Sequence, residues 1–260
     1  MDFGLRGKRA LVTGGSHGIG LGISEALVRE GAAVAILGRD ENRLEAARKS
    51  LVRQGGEVLT LRADALVQDE IDDAWTKIHE KWGGIDILVN NVGGGGRWGH
   101  DDILETGPEV WSEVYQKNAG VAIQLTKLAL PAMLNKKWGR VVTVTSIYGA
   151  GIGGRPWFNI AKVAQTVLMK NLARRPELAR AGITFNSVAP GAVHIPDTGW
   201  EELEKTNPTE FSRLVENLPL GRMGTPAEVG NLVAFLSSEK ASYVNGSSIV
   251  IDGGETVHFE

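Results

Sequence analysis

Thr13-Gly14-Gly15-Ser16-His17-Gly18-Ile19-Gly20 follows an apolar run at 9–13 and opens a stretch in which Ile19, Ile23, Ala26 and Leu27 recur at helical spacing. A glycine turn between a strand and a helix lets a pyrophosphate approach the backbone with no Cβ in the way. It also leaves bare N–H donors at the helix start to meet the charge. Gly14, Gly18 and Gly20 supply both. The spacing is TGxxxGxG, not the commoner GxGxxG, and a tight turn without a ligand also fits the octapeptide taken alone. Its place after the first strand of an alternating pattern favours the nucleotide reading.

Beyond the turn, the runs 33–37, 57–61, 85–89, 140–145, 183–188 and 248–251 are nearly continuous in apolar residues, as strands covered on both faces are. Helical stretches fit the gaps at 69–82, 109–134, 158–174 and 226–236, and Leu44, Ala47 and Leu51 mark another. Thr225 serves as N-cap of the last, with Pro226 at its first position. Strand then helix, repeated, predicts an α/β protein: one doubly wound Rossmann-type domain over 1–260, a seven-stranded parallel sheet with helices on both faces. Residues 189–208 read as irregular, and a flexible substrate flap is expected at about 189–215.

Composition narrows the function. The 260 residues include no Cys, which excludes disulfides, thiolate metal sites and a Cys nucleophile. With 28 basic against 31 acidic residues and no block of like charge, nucleic acid is not expected as a partner. The apolar runs are too short to span a bilayer, and the first residues lack the order of a secretory signal, so a cytoplasmic chain without a membrane partner is expected. His17, His79, His100, His194 and His258 are scattered without ligand spacing, and no metal is expected.

The second strand ends in Leu37-Gly38-Arg39-Asp40. An acidic residue there would accept from a ribose 2′-OH, whereas Arg39 presents a planar cation suited to a 2′-phosphate, so NADP(H) is favoured over NAD(H). Asp40, one residue later, keeps NAD(H) open. His17 offers a donor near the same phosphate or is a surface turn histidine.

With Asn90-Asn91-Val92-Gly93 after the fourth run, the chain resembles the short-chain dehydrogenase/reductase family, in the subfamily with chains of this length. The resemblance covers essentially the whole chain: the 13–20 loop, Asp64-Ala65, Asp86, Asn118, Ser146, Lys162, Pro190-Gly191 and Asp252-Gly253-Gly254. It implies hydride transfer between a nicotinamide and a carbonyl or alcohol carbon. It also implies cofactor contacts from Gly14, Ser16, His17, Gly18, Ile19, Gly20 and Arg39, from Asp64 and Ala65, from Asn91, Val92 and Gly93, and from Lys162, Pro190, Gly191 and Val193. Ser146 matches the residue that bonds the substrate oxygen, Lys162 the one that binds the nicotinamide ribose, and Asn118 the one that anchors a relay water. Taken singly, Ser146 also reads as a strand-end cap, Lys162 as a solvated charge and Asn118 as a helix residue satisfied by backbone.

The family's proton is handled by a Tyr four residues before the Lys, and that position holds Phe158. Phe has no proton to give, and general acid help is typically worth about 10²–10⁴ in rate. Four readings stay open. Tyr148, two residues after Ser146, points to the same side if the strand continues. A water held by Asn118, Lys162 and Ser146 needs no new residue. Hydride addition to a conjugated enone leaves an enolate that needs electrostatic help more than an immediate acid. Finally, the Phe silences the chain and leaves a cofactor-binding protein. A dehydratase or epimerase with transient oxidation is a further alternative.

The segments that would border the substrate read Gly93-Gly94-Gly95-Gly96-Arg97-Trp98, Gly153-Gly154-Arg155-Pro156-Trp157 and His194-Ile195-Pro196-Asp197-Thr198-Gly199-Trp200. Three Trp and two Arg residues there suit a flat or cyclic small molecule with an anionic group, with Trp157 and Phe158 forming one aromatic wall. Where the family places a Thr near the pyrophosphate the chain has Ile195, and Thr198 stands three residues on. The resemblance further implies a homo-oligomer, dimer or tetramer. The 248–251 strand, Val229, Leu232, Val233 and Leu236 fit such an interface or the core equally, and the tail 255–260 is long enough to reach a neighbour.

Overall fold

Apolar side chains leave both faces of each central strand, so the sheet needs a helical layer on each side. The structure, a computed structural model, describes residues 2–96, 98–100 and 102–257. Arg97 and the tail from 258 onward, both named above, lie outside the described residues. The strands are β1 (Arg9–Thr13), β2 (Ala33–Gly38), β3 (Val58–Arg62), β4 (Ile87–Asn90), β5 (Gly139–Val144), β6 (Ile183–Pro190) and β7 (Ser248–Ile251). They form one parallel sheet in the order β3-β2-β1-β4-β5-β6-β7.

Ala10, Val12, Val34, Ile36, Ile87 and Val89 point into one core, with Ile23 and Leu27 of α1 (Gly18–Arg29), Leu44 and Leu51 of α2 (Glu41–Arg53) and Val229 and Val233 of α10 (Pro226–Leu236). Leu11, Ala35, Leu37, Leu88, Val141 and Phe185 point into the other. They meet Ile71 and Ile78 of α3 (Gln68–Trp82), Leu125 and Met133 of α5 (Val121–Lys136) and Met169 of α6 (Pro156–Ala173). Val229, Val233 and Leu236 are buried in the first core, which accounts for their apolarity without an interface.

Three sequence expectations change. The helix expected at 109–134 is α4 (Pro108–Tyr115) and α5 joined by a π-helical stretch, Gln116–Gly120, with Asn118 at its centre. A π-bulge of one turn keeps the chain helical, so residue types on either side of it spell one helix. The stretch 189–208 is not wholly irregular: β6 runs on to Pro190, and the flap carries α8 (Gly199–Thr206) and α9 (Pro208–Glu216); between α6 and β6 lies α7 (Pro176–Ala179). Neither α8 nor α9 contributes a buried residue, which is why no core-facing period announces them. Lastly, the strand expected to reach Thr145 stops at Val144, and Ser146 caps a 3₁₀ turn, Ile147–Gly149, so extended geometry does not carry Tyr148 alongside Ser146.

No described helix is long and apolar enough to cross a membrane.

Candidate active site

Strand order reverses between β1 and β4, and the loops leaving their carboxyl ends diverge to open a cleft, the usual ligand position in such sheets. Thr13 ties the two strand ends together. Its hydroxyl accepts from the N–H groups of Asn91 (2.8 Å) and Val92 (2.9 Å), and the Asn91 side chain donates to the Thr13 carbonyl at 2.8 Å. Gly14 has φ +64°, and a Cβ on Gly20 would overlap the Gly14 carbonyl, so the turn folds this tightly only with glycine at both positions.

Two cavities occupy the cleft, of about 370 and 710 Å³, and both are lined by His17, Asn91 and Gly93. The smaller adds Gly14, Ser16, Arg39, Asp64, Ala65 and Val92; the larger adds Gly18, Ile19, Gly20, Pro190 and Gly191. Of the residues expected at a cofactor, Val193 is not brought to the cleft. It is buried, pairs with Gly224 and lines a separate cavity of about 310 Å³. The smaller cavity also exposes Lys117, which no motif announced. Burial, and then repulsion from Arg39, lower its pKa, and its ammonium sits 4.1 Å from the centre of the Trp98 ring.

At the rim of the smaller cavity, Arg39 reaches Asp64 at 3.4 Å with 70% of its side chain exposed. The Asp40 carboxylate accepts from the Arg43 N–H at 3.0 Å and caps α2. Ser16 stands beside Gly38, and Ala65 is buried at the back wall.

The larger cavity gathers Ser146, Tyr148, Phe158 and Lys162. Ser146 Oγ accepts from the Tyr148 N–H at 3.2 Å, which leaves its O–H hydrogen to point elsewhere. The Tyr148 ring packs on Gly153 and Gly154, and Asn159 donates to the carbonyls of Tyr148 and Gly151, holding this turn against α6. Phe158 lies against Gly96. Trp157, its chain neighbour, turns about 100° away along the helix and is buried edge-on against Trp111 at 5.5 Å. The expected double aromatic wall is therefore a single ring, Phe158, and Trp98 and Trp200 line the same cavity.

Lys162 is buried, donates to the Val144 carbonyl at 3.2 Å and to Gln165 Oε1 at 3.0 Å, and is pushed down to about 7 by desolvation. It is not the solvated helix charge its sequence position allows. Asn118 is fully buried. Its Nδ2 donates to the carbonyls of Val114 (2.7 Å) and Gly94 (2.8 Å), and its Oδ1 accepts from the Gly94 N–H at 3.1 Å. Its side chain holds the glycine loop, and a Cβ on Gly93 would come within 2.5 Å of its Oδ1.

The flap closes one side. Ile195 packs on Gly18, Thr198 Oγ1 donates to the Ile195 carbonyl at 2.6 Å while lining the cavity, and Asp197 meets Arg43 at 3.7 Å. Arg155, expected to face an anionic substrate, donates to the carbonyls of Trp98 and Gly99 and so anchors the loop.

A dinucleotide fits what is present. The turn packs so tightly that a Cβ on Gly15 or Gly20 would overlap its own neighbours, the first turn of α1 carries no acidic residue, and His17 Nε2 is buried with no hydrogen-bond partner.

The family model described as Enoyl-(Acyl carrier protein) reductase matches residues 14–256. The chain is 34% identical over 251 residues to a 3-oxoacyl-[acyl-carrier-protein] reductase of Escherichia coli K12, covering 95% of this chain and 97% of the relative. It is 33% identical over 255 residues to a 2,3-dihydroxy-2,3-dihydro-p-cumate dehydrogenase of Pseudomonas putida F1, covering 97% and 96%. Among solved structures, L-sorbose reductase of Gluconobacter frateurii complexed with NADPH and L-sorbose superposes with TM-score 0.90 at 31% identity, covering all of both chains.

Proposed function

The chain belongs to the short-chain dehydrogenase/reductase family, an oxidoreductase family, and from that premise we propose an NADP(H)-dependent enzyme acting on a carbonyl, alcohol or conjugated carbonyl of a small cyclic metabolite, with a proton donor other than residue 158. The observation that carries this reading is the larger cavity: Ser146, Tyr148, Phe158 and Lys162 border one space with His17, Gly18, Ile19 and Gly20 of the glycine turn.

The bound nicotinamide would supply or take the hydride at the substrate carbon. Ser146 donates its O–H to the substrate oxygen, because its acceptor side already faces the Tyr148 N–H. Lys162 places positive charge on the same side and stabilises negative charge growing on that oxygen, a contribution enlarged by the absence of bulk water around it. Phe158 excludes water from one face and moves no proton. The proton comes from the Tyr148 phenol, which lines the same cavity, or from a water held by Ser146 and Lys162; Asn118, expected to hold that water with them, has its side chain engaged by Gly94 and Val114.

NADP(H) is supported over NAD(H) by Arg39 and Arg43 at the rim of the smaller cavity and by the engagement of Asp40 as a helix cap. The relative with L-sorbose is complexed with NADPH. Flat walls from Trp98, Trp200 and Phe158 support a ring-shaped substrate, and one relative is named for a cyclic diol. A homo-oligomer belongs to the same reading, supported by the half-buried edge strand β7 and by the exposed stripe Ile160, Val163 and Val167 on α6.

A second reading, a chain that binds cofactor without turnover, is favoured by Phe158, which puts no ionisable group at its place on the cavity wall. Oxidation of NADPH against cyclic ketones, enones and aromatic keto acids separates the two, run for this chain and for Phe158→Tyr with NADH as control. Turnover by the unmodified chain supports the enzyme; turnover by the variant alone supports the silent chain.

A further inference from the structure

Gln165 lies one turn beyond Lys162 on α6, fully buried, between Lys162 and the π-helical stretch. Its Oε1 accepts from Lys162 Nζ at 3.0 Å and its Nε2 donates to the Asn118 carbonyl at 3.1 Å. A carbonyl only accepts, so the amide has one satisfied orientation: Nε2 toward Asn118 and Oε1 toward Lys162. Lys162 must therefore donate to it whatever its charge.

We propose that Gln165 is a positioning residue that fixes Lys162 as a hydrogen-bond donor aimed into the larger cavity. Two of the three N–H bonds of the ammonium go to Val144 O and Gln165 Oε1, so the third is left for the cavity side, where Gly93 and Phe158 border it. Gln165 also opposes burial, because a hydrogen bond accepted from the ammonium favours the charged form. The groups facing Lys162 are few. Val144 presents a carbonyl from β5, Gln165 and Phe158 come from α6, and Gly93 from the loop after β4. His17 and Tyr148 are the other titratable groups on the cavity, Lys117 stands beside Gly94, and no carboxylate lines the cavity among the described residues.

The consequence for the reaction rests on the function proposed above, but the positioning itself is read in the free chain. The chain is labelled with carbon-13 at lysine Cε, the Lys162 signal is assigned with Lys162→Met, and its midpoint is followed with pH in the unmodified chain, Gln165→Leu and Gln165→Glu. The expected midpoint of about 7 moves down by about one to two pH units in Gln165→Leu and up in Gln165→Glu, the size of a hydrogen bond to a charged group. A carboxylate at 165 raises the midpoint by charge alone, so the fall in Gln165→Leu and the titration of the Gln165 amide decide. Midpoints that stay put, or move the same way, overturn the proposal. The unmodified chain decides independently of whether the variants fold: the Gln165 side-chain amide signal must titrate with the Lys162 midpoint, and an amide indifferent to it overturns the assignment. NADPH binding is measured on the same samples. If none binds while the opposite shifts appear, the functional reading fails and the positioning stands.

Discussion

Lys162 Nζ stands 5.6 Å from the centroid of the Phe158 ring, one helical turn away on α6, and both side chains border the same cavity. The buried ammonium meets the face of the ring, and that contact does not replace the hydrogen bonds lost with its water. The pair therefore makes the region unusually sensitive to a hydroxyl placed on the ring.

Phe158→Tyr adds that hydroxyl in the cavity with Ser146 and Lys162, and the neighbouring ammonium favours its ionised form. Ketone reduction with NADPH is expected to rise by about 10²–10⁴ in kcat, the usual span for general acid catalysis. Steady-state kinetics on one cyclic ketone checks this, and an unchanged kcat would show that the chain already has an equally good donor.

Arg39→Ala removes the exposed guanidinium at the rim of the smaller cavity. A charge-assisted contact of the usual strength predicts NADPH binding weaker by about tenfold to a hundredfold, with NADH nearly unaffected. Titration of both cofactors by fluorescence measures the ratio; equal loss for both would move the preference away from a 2′-phosphate contact.

Burial holds Lys162 down at about 7 in the folded chain, against about 10.4 when unfolded. Between these values the unfolded chain binds a proton that the folded chain does not. Stability contributed by this group is therefore complete above the higher value and is lost as pH falls through the lower one. Urea unfolding at about pH 6 and about pH 9.5 should show Lys162→Met gaining relative to the unmodified chain at the lower pH. A stability difference that does not change with pH would mean that Lys162 keeps its charge when folded.

Gly20→Ala places a Cβ into the Gly14 carbonyl. The turn must open to accept it, at a cost of about 1–3 kcal/mol by analogy with overpacked cores, and dinucleotide binding is expected to fall below detection while the sheet persists. Calorimetric titration with NADPH, paired with thermal unfolding, separates a lost cradle from a lost fold.

Periodicity located the parallel sheet because a strand buried on both faces must be apolar throughout, and that is written in consecutive residues such as Val34, Ala35, Ile36 and Leu37. The glycine turn was equally legible, since its chemistry depends on missing side chains at fixed spacing. The direction a helical side chain takes was not. Trp157 and Phe158 are adjacent in sequence, yet one fills the core and the other the cavity. Val193 follows Pro190 and Gly191 by a few residues and still faces another cavity.

The sequence by itself determined the doubly wound sheet, the glycine turn after β1 and the residue types at 146, 158 and 162, because each follows from local pattern and residue type. Only the tertiary structure decided which groups meet. The π-helical stretch, formed against α6 and the glycine loop, sets Asn118 within reach of Gln165, and Gln165 within reach of Lys162. Those contacts join residues 118, 162 and 165 across two elements, and such separations are fixed by packing, which no run of neighbouring residues encodes.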